Sequence, residues 1–259
     1  MKKILSVAVL GSTGYVGLEL VKILIRHPNI QIKFLGCENS PSKDIREFDQ
    51  NIVIDTLPKL DLNNNFDPKN YDLVFLSLPH GVSHKFVKNF NRKIKIIDLS
   101  ADFRLDSEKL YSKNYNNDHA CPELLNQFIY GLPEINKDVL NTNFDVAVPG
   151  CYPTSVLIPL IPLLEKNLIK TDNIIIDSKS GYSGAGKKFD LNNIKNKLEF
   201  NFYNYNTNEH RHICEIQQEL DKHSDQKVIF SFNPHILPIY RGLMSTIYCD
   251  LQENIIPKD

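Results

Sequence analysis

Hydrophobic positions in the first half of the chain fall in short continuous runs, separated by stretches of helical period. "ILSVAVLG" (residues 4–11), "IQIKFLGC" (30–37), "YDLVFLSLP" (71–79) and "IKIIDLS" (94–100) each read as a buried strand. Between the first two, Val16, Leu20, Ile23 and Leu24 mark a helical stripe over residues 15–26, and residues 82–89 are also helix-like. Near-continuous apolar strands alternating with helices predict a parallel sheet covered on both faces. Near residue 150 the pattern changes. "VPGCYPTSVLIPLIPLLE" (148–165) reads as a long apolar helix after a Pro-Gly turn. "NIIIDSKSGYSGAG" (173–186) is a strand entering a Gly/Ser loop, and "KVIFSFNPHILPIYRGLMSTIYCDL" (227–251) holds strand-type runs divided by proline turns. Residues 190–208, rich in Asn and Lys, read as a surface helix and loop. This shift sets an expected boundary between a domain over 1–149 and one over 150–259.

Composition narrows the function classes. With 259 residues the chain can bury one large core or two smaller ones. A net charge of -1 gives no long-range pull toward nucleic acid or anionic membrane, so neither is expected as a partner. The apolar run at 156–164 is broken by Pro159 and Pro162 and is too short to cross a bilayer. The opening "MKKILSVAVLGSTG" raises a signal peptide, which we reject. Its apolar segment is short and runs straight into a glycine turn and a helix that the fold needs. A cytoplasmic location is therefore expected. The cysteines, Cys37, Cys121, Cys151, Cys214 and Cys249, are odd in number, dispersed and without a C-x-x-C pair. That argues against a disulfide framework or a zinc ribbon, and no metal site is expected.

"GSTGYVG" places Gly11, Gly14 and Gly17 between the first strand and the first helix. This is a spacing variant of the Rossmann fingerprint. Glycine lets the backbone turn tightly and approach a pyrophosphate, whose charge the helix N-terminus stabilises. Cofactor choice stays open on the residues alone. Glu38 would bind a ribose 2′-OH and favour NAD, whereas Ser12, Thr13, Ser40, Ser42 and Lys43 would hold a 2′-phosphate.

Pro153 and Thr154 follow Cys151, so the cysteine is expected near a helix N-terminus, where the dipole and open N–H groups favour a thiolate. A thiolate there can attack an acyl carbon, with the same amides holding the oxyanion. "NEHRHICEI" supplies a base, with His210, Arg211, His212 and Glu215. Glu215, three residues after His212, would orient that imidazole on a helix. Arg211 or Arg241 would bind a carboxylate or phosphate as a planar fork.

"GSTGYVG", "LSLPHGVS", "DLSADFRL", "YGLPEI", "PGCYPT", "SGYSGAGKK", "HRHICEI" and "PHILPIYRG" occur in this order. Together they resemble the N-acetyl-γ-glutamyl-phosphate reductase family, related to aspartate-semialdehyde dehydrogenase, over nearly the whole chain. The resemblance implies an α/β protein. A Rossmann-type NADP-binding domain (1–149) is followed by an α+β catalytic, substrate and dimerisation domain with a mixed sheet (150–259). It implies NADPH-dependent reduction of an acyl phosphate to an aldehyde in arginine biosynthesis, through a thioester on Cys151. His210 is the favoured acid/base, with His212 and Glu215 positioning it or the substrate. Cofactor contacts are implied at Gly11, Ser12, Thr13, Gly14, Tyr15, Val16, Gly17, Ser40, Ser183 and Gly184. Tyr152, Arg104 and Arg241 are lesser candidates for anion contacts. A small-molecule acyl phosphate and a second copy of the chain, in a dimer or tetramer, are the implied partners. An aspartate-semialdehyde dehydrogenase-like enzyme and an impaired nucleotide-binding remnant are the alternatives. Two departures stand out. Val148 occupies a position where the family usually carries Asn, and the family continues for several tens of residues beyond Asp259. The second departure leads us to expect a C-terminally incomplete second domain, an open sheet edge, and impaired stability or activity.

Overall fold

The computed structural model describes residues 3–54, 56–90, 94–140, 145–187, 201–253 and 255. The chain divides into two compact units, Met1–Pro149 and Gly150–Asp259.

In the first unit β1 (Leu5–Leu10), α1 (Tyr15–Leu24), β2 (Ile30–Cys37), β3 (Leu60–Leu62) and β4 (Leu73–Leu76) follow in order. Then come α2 (Ser83–Lys88), β5 (Lys95–Asp98), α3 (Glu108–Tyr115), β6 (Phe128–Tyr130), α4 (Pro133–Leu140) and β7 (Asp145–Ala147). The strands form one parallel sheet in the order β3-β2-β1-β4-β5-β7-β6. Chain order runs outward from β1 through β2 to β3 on one side and from β4 to β5 on the other, where β7 then lies between β5 and β6, so the β1/β4 pair is the switch point where such sheets bind ligands. Both faces are buried. Val7 and Val9 pack with Leu18, Val21 and Leu35 on one side, while Ala8 and Leu10 pack with Val74, Leu76 and Ile96 on the other. That double burial is why β1 reads as an unbroken apolar run.

The stripe expected on α1 needs correction. Val16 is 55% and Ile23 66% exposed, and the buried face is Gly17, Leu18, Val21 and Leu24. The close packing of Gly17 goes with this rotation. A Cβ on it would lie 2.4 Å from the Gly11 carbonyl oxygen, so the helix meets the strand at its glycine.

The second unit holds α5 (Cys151–Glu165), β8 (Ile174–Gly181), β9 (Tyr203–Asn204), α6 (His212–Lys222), β10 (Phe230–Leu237) and β11 (Leu243–Tyr248). Its sheet runs β11-β8-β10-β9, with β8 and β10 parallel and both outer strands antiparallel. Val156, Leu157, Leu160 and Ile161 of α5 are buried, as are Ile216 and Leu220 of α6 and Ile174, Ile176 and Phe232 of the sheet. The mixed sheet and its helices make this unit α+β. Of the expected helix and loop at 190–208, residues 190–200 lie outside the described residues, and Tyr203–Asn204 is β9. Among the described residues no helix is long and apolar enough to cross a membrane.

Candidate active site

The glycine turn of the first unit sits at the carboxyl end of β1, beside the switch point. Its three glycines have different reasons to be glycine. Gly11 has a φ of +72°, and a Cβ there would meet the Ser77 carbonyl oxygen at 2.2 Å. Gly17 is crowded by the Gly11 and Ser12 backbone. Gly14 caps α1 at a φ of -70°, and its nearest neighbour to an added Cβ is 3.5 Å away. The fold therefore requires Gly11 and Gly17 but not Gly14. What Gly14 provides is open space at the helix start, where N–H groups have no partner within the helix. That cradle fits a dinucleotide pyrophosphate.

Of the other residues assigned to the cofactor, Ser12 is fully buried and its hydroxyl donates to the Gly36 carbonyl at 2.9 Å, so it braces the turn. Thr13 and Tyr15 are half-buried, Val16 is exposed, and Ser40 is half-buried beyond β2. Asn63, which sequence reasoning missed, accepts the Gly11 N–H at 3.0 Å. Arg104 is buried, with Nε donating to the Val148 carbonyl at 2.7 Å and Nη2 to that of Leu99 at 2.9 Å. The Val148 N–H donates to the Asp98 carbonyl at 2.7 Å, so the backbone at this position is held at both polar groups.

In the second unit Cys151 is the first residue of α5, capped by Gly150 in extended backbone. Cys151 is exposed, whereas Cys37 and Cys121 are buried and Cys214 and Cys249 half-buried. Burial and the neighbouring Glu215 charge push the Cys214 thiol up to about 11, and burial raises Cys249 too. The accessible thiol at a helix start is thus Cys151.

Glu215, fully buried on α6, accepts the Gly150 N–H on Oε1 at 2.8 Å and so ties α6 to the start of α5. His210 and His212 are buried beside it, their rings 4.8 Å apart edge to face. The Nδ1 of His210 accepts the backbone N–H of His212 at 3.1 Å. This fixes the tautomer, because a neutral ring accepting at Nδ1 carries its proton on Nε2. Burial, assisted by the Arg211 charge, lowers the His210 pKa to about 4, so the ring is neutral at pH 7.

Tyr152 fills the centre of this group. Its ring lies edge-on to His210 at 5.4 Å, to His212 at 6.0 Å and to Phe232 at 5.4 Å. Its hydroxyl is 3.2 Å from that of Tyr205. Burial first, with Cys151 charge adding to it, raises both phenols above the ordinary tyrosine range and keeps them as O–H groups. Cys151 is therefore within electrostatic reach of both. Tyr205 escaped the sequence reading because it lies in an Asn-rich stretch with no periodicity.

Ser183 and Gly184 lie in the turn after β8, with the Ser183 N–H donating to the Tyr240 carbonyl at 3.0 Å. Arg241 is exposed and stacks over the Tyr240 ring at 5.2 Å. Among the described residues no group of three or more His, Cys, Asp and Glu side chains is placed to hold a metal ion.

Comparisons with known proteins bear on the fold and the family. The family model described as semialdehyde dehydrogenase, NAD binding domain, matches residues 6–143, and the one described as semialdehyde dehydrogenase, dimerisation domain, matches 151–259. The N-acetyl-gamma-glutamyl-phosphate reductase of Ehrlichia ruminantium is 42% identical over 257 residues, covering 98% of this chain and 74% of the relative. The protein of the same name from Acinetobacter baylyi is 42% identical over 256 residues, covering 96% and 73%. Among solved structures, aspartate semialdehyde dehydrogenase II from Vibrio cholerae, complexed with ASA, matches with a TM-score of 0.72 at 17% identity, over 98% of this chain and 76% of that one. Aspartate semialdehyde dehydrogenase with NADP from Candida albicans matches at 0.67 and 16%, over 98% and 74%. These structures speak to the fold, and the sequence relatives speak to the family. The chain belongs to the N-acetyl-gamma-glutamyl-phosphate reductase family, within the semialdehyde dehydrogenases.

Proposed function

We propose that this chain reduces N-acetyl-L-glutamyl 5-phosphate to N-acetyl-L-glutamate 5-semialdehyde, releasing phosphate, with NADPH as reductant, as a step of arginine biosynthesis. The observation that carries the reading is the exposed Cys151 at the first position of α5, grouped with buried, neutral His210 and the phenol of Tyr205. The Cys151 thiolate attacks the acyl carbon. A carbon–sulfur bond forms, the carbon–oxygen bond to phosphate breaks, and phosphate departs with the electron pair. NADPH, when bound, would supply the hydride that reduces the thioester carbon to the aldehyde level. The carbon–sulfur bond then breaks and Cys151 leaves as thiolate, ready for the next turn.

The fixed tautomer of His210 gives it a donor's part. Its Nε2–H suits negative charge on the acyl oxygen or the departing phosphate, and it cannot accept the thiol proton at that nitrogen. The amides at the start of α5 add to this stabilisation. Gly11, Gly14 and Gly17, with the start of α1, hold the pyrophosphate. Ser183 and Gly184 lie on the loop assigned to the nicotinamide side. The second unit is the surface for a homodimer, in keeping with its match to a dimerisation domain. We place the enzyme in the cytoplasm.

The test follows NADPH absorbance with N-acetylglutamate semialdehyde, phosphate and NADP⁺, with aspartate semialdehyde as the control substrate. Turnover is expected with the acetylated substrate and is abolished by Cys151→Ser. A serine variant with the wild-type rate would overturn the thioester route, and a faster rate with aspartate semialdehyde would overturn the substrate.

A further inference from the structure

The first unit contains a cavity of about 270 Å³ at the carboxyl ends of β2, β3 and β4. Leu78, Pro79, Val82 and Phe86 give it apolar lining, and Glu38 and Asn63 add polar groups. Asn63 also binds Gly11, which joins the cavity to the glycine turn. Apolar lining next to a switch point suits the base of a nucleotide, and the polar groups suit its sugar. Resting on the cofactor reading above, this cavity receives the nucleoside end of the dinucleotide.

Glu38 follows β2 directly and is exposed at the cavity wall. A carboxylate there accepts a hydrogen bond from a ribose 2′-OH and repels a 2′-phosphate. The cations that follow Glu38 in the chain each face a carboxylate. Arg46 gives Nε and Nη2 to Asp44 at 2.9 and 2.8 Å. Lys59 lies 3.0 Å from the same carboxylate, and Lys43 pairs with Glu47 at 3.9 Å. These are the Lys and Arg residues of positions 38–62. Of the serines near the turn, Ser12 spends its hydroxyl on Gly36.

We propose that Glu38 sets the 2′ selectivity of this chain and lets it take NADH alongside NADPH. The test is isothermal titration calorimetry of the purified chain with NADP⁺ and with NAD⁺, for wild type, Glu38→Gln and Glu38→Ser, with melting curves to confirm folding. In the wild type the two dissociation constants are expected to fall within about tenfold of each other. In each variant NADP⁺ should tighten by about tenfold and NAD⁺ weaken several-fold, as a repulsive charge and a charged acceptor are both removed. A wild-type preference for NADP⁺ above about a hundredfold, or a selectivity ratio unmoved in folded variants, overturns the proposal alone. Absence of binding by both dinucleotides overturns the cofactor reading and the proposal together.

Discussion

Replacing His210 by Asn separates the electrostatic cost of burying this imidazole from its hydrogen bond. The Asn Oδ1 occupies the place of Nδ1 and still accepts the His212 N–H, but the side chain no longer titrates. In the folded protein the His210 pKa is about 4, against about 6.5 for an unfolded chain. Between those values the unfolded state binds more protons than the folded one. The folded state is therefore at full strength above about pH 6.5 and weakens as pH falls through the window. At about pH 5 the unfolded histidine is almost wholly protonated and the folded one almost wholly neutral. Linkage then puts the loss relative to pH 7.5 at about 2 kcal/mol. Urea unfolding at about pH 7.5 and about pH 5, at fixed protein concentration, measures it. Wild type should lose about 2 kcal/mol more than the variant between the two conditions. His119, whose pKa burial also lowers, titrates in both proteins and cancels in the difference. The comparison needs both pH values, because the smaller side chain leaves a void that lowers stability at every pH. Identical pH dependence in the two proteins would refute the reasoning, since it would mean that His210 titrates no differently folded than unfolded.

Gly17→Ala and Gly14→Ala should behave differently. The first forces a Cβ against backbone atoms at 2.4–2.9 Å and should cost about 1–3 kcal/mol in thermal or urea unfolding. The second should change stability by no more than about 1 kcal/mol while weakening dinucleotide binding about tenfold or more by calorimetry. Equal stability losses would contradict the division of labour between the glycines. Glu215→Ala strips the acceptor from the buried Gly150 N–H and should destabilise by about 1.5–3 kcal/mol. Glu215→Gln keeps a carbonyl there and should recover most of that in the same unfolding assay, whereas equal losses would mean that the charge, not the hydrogen bond, matters.

The major strands were legible in the sequence because burial on both faces of a parallel sheet leaves long apolar runs. The four early runs contain β1, β2, β4 and β5. The three-residue strands β3, β6 and β7 carry too few positions to show any period, and only their pairing with neighbours makes them strands. The helix after the glycine turn was equally plain, yet apolar residues occupy more than one of its faces, and the close packing of Gly17, which leaves no room for a Cβ beside the Gly11 carbonyl, goes with burial of Leu18, Val21 and Leu24 rather than Val16 and Ile23.

At the candidate site, residue types and spacing put forward Cys151, His210, His212 and Glu215 as candidates, and the family resemblance gave them roles. What they become depended on atoms remote in the chain. The exposure of Cys151 against the burial of Cys37 and Cys121 is a property of packing. So is the convergence of Tyr152, Tyr205 and His210 from separate segments. Glu215 was expected to serve a histidine on its own helix, and its Oε1 takes the N–H of Gly150, 65 positions away. Chain-local chemistry sets which groups are available and which segments are helix or strand, because those preferences act between near neighbours. Burial, tautomer and charge environment arise only when distant segments meet, and tertiary packing alone decided them.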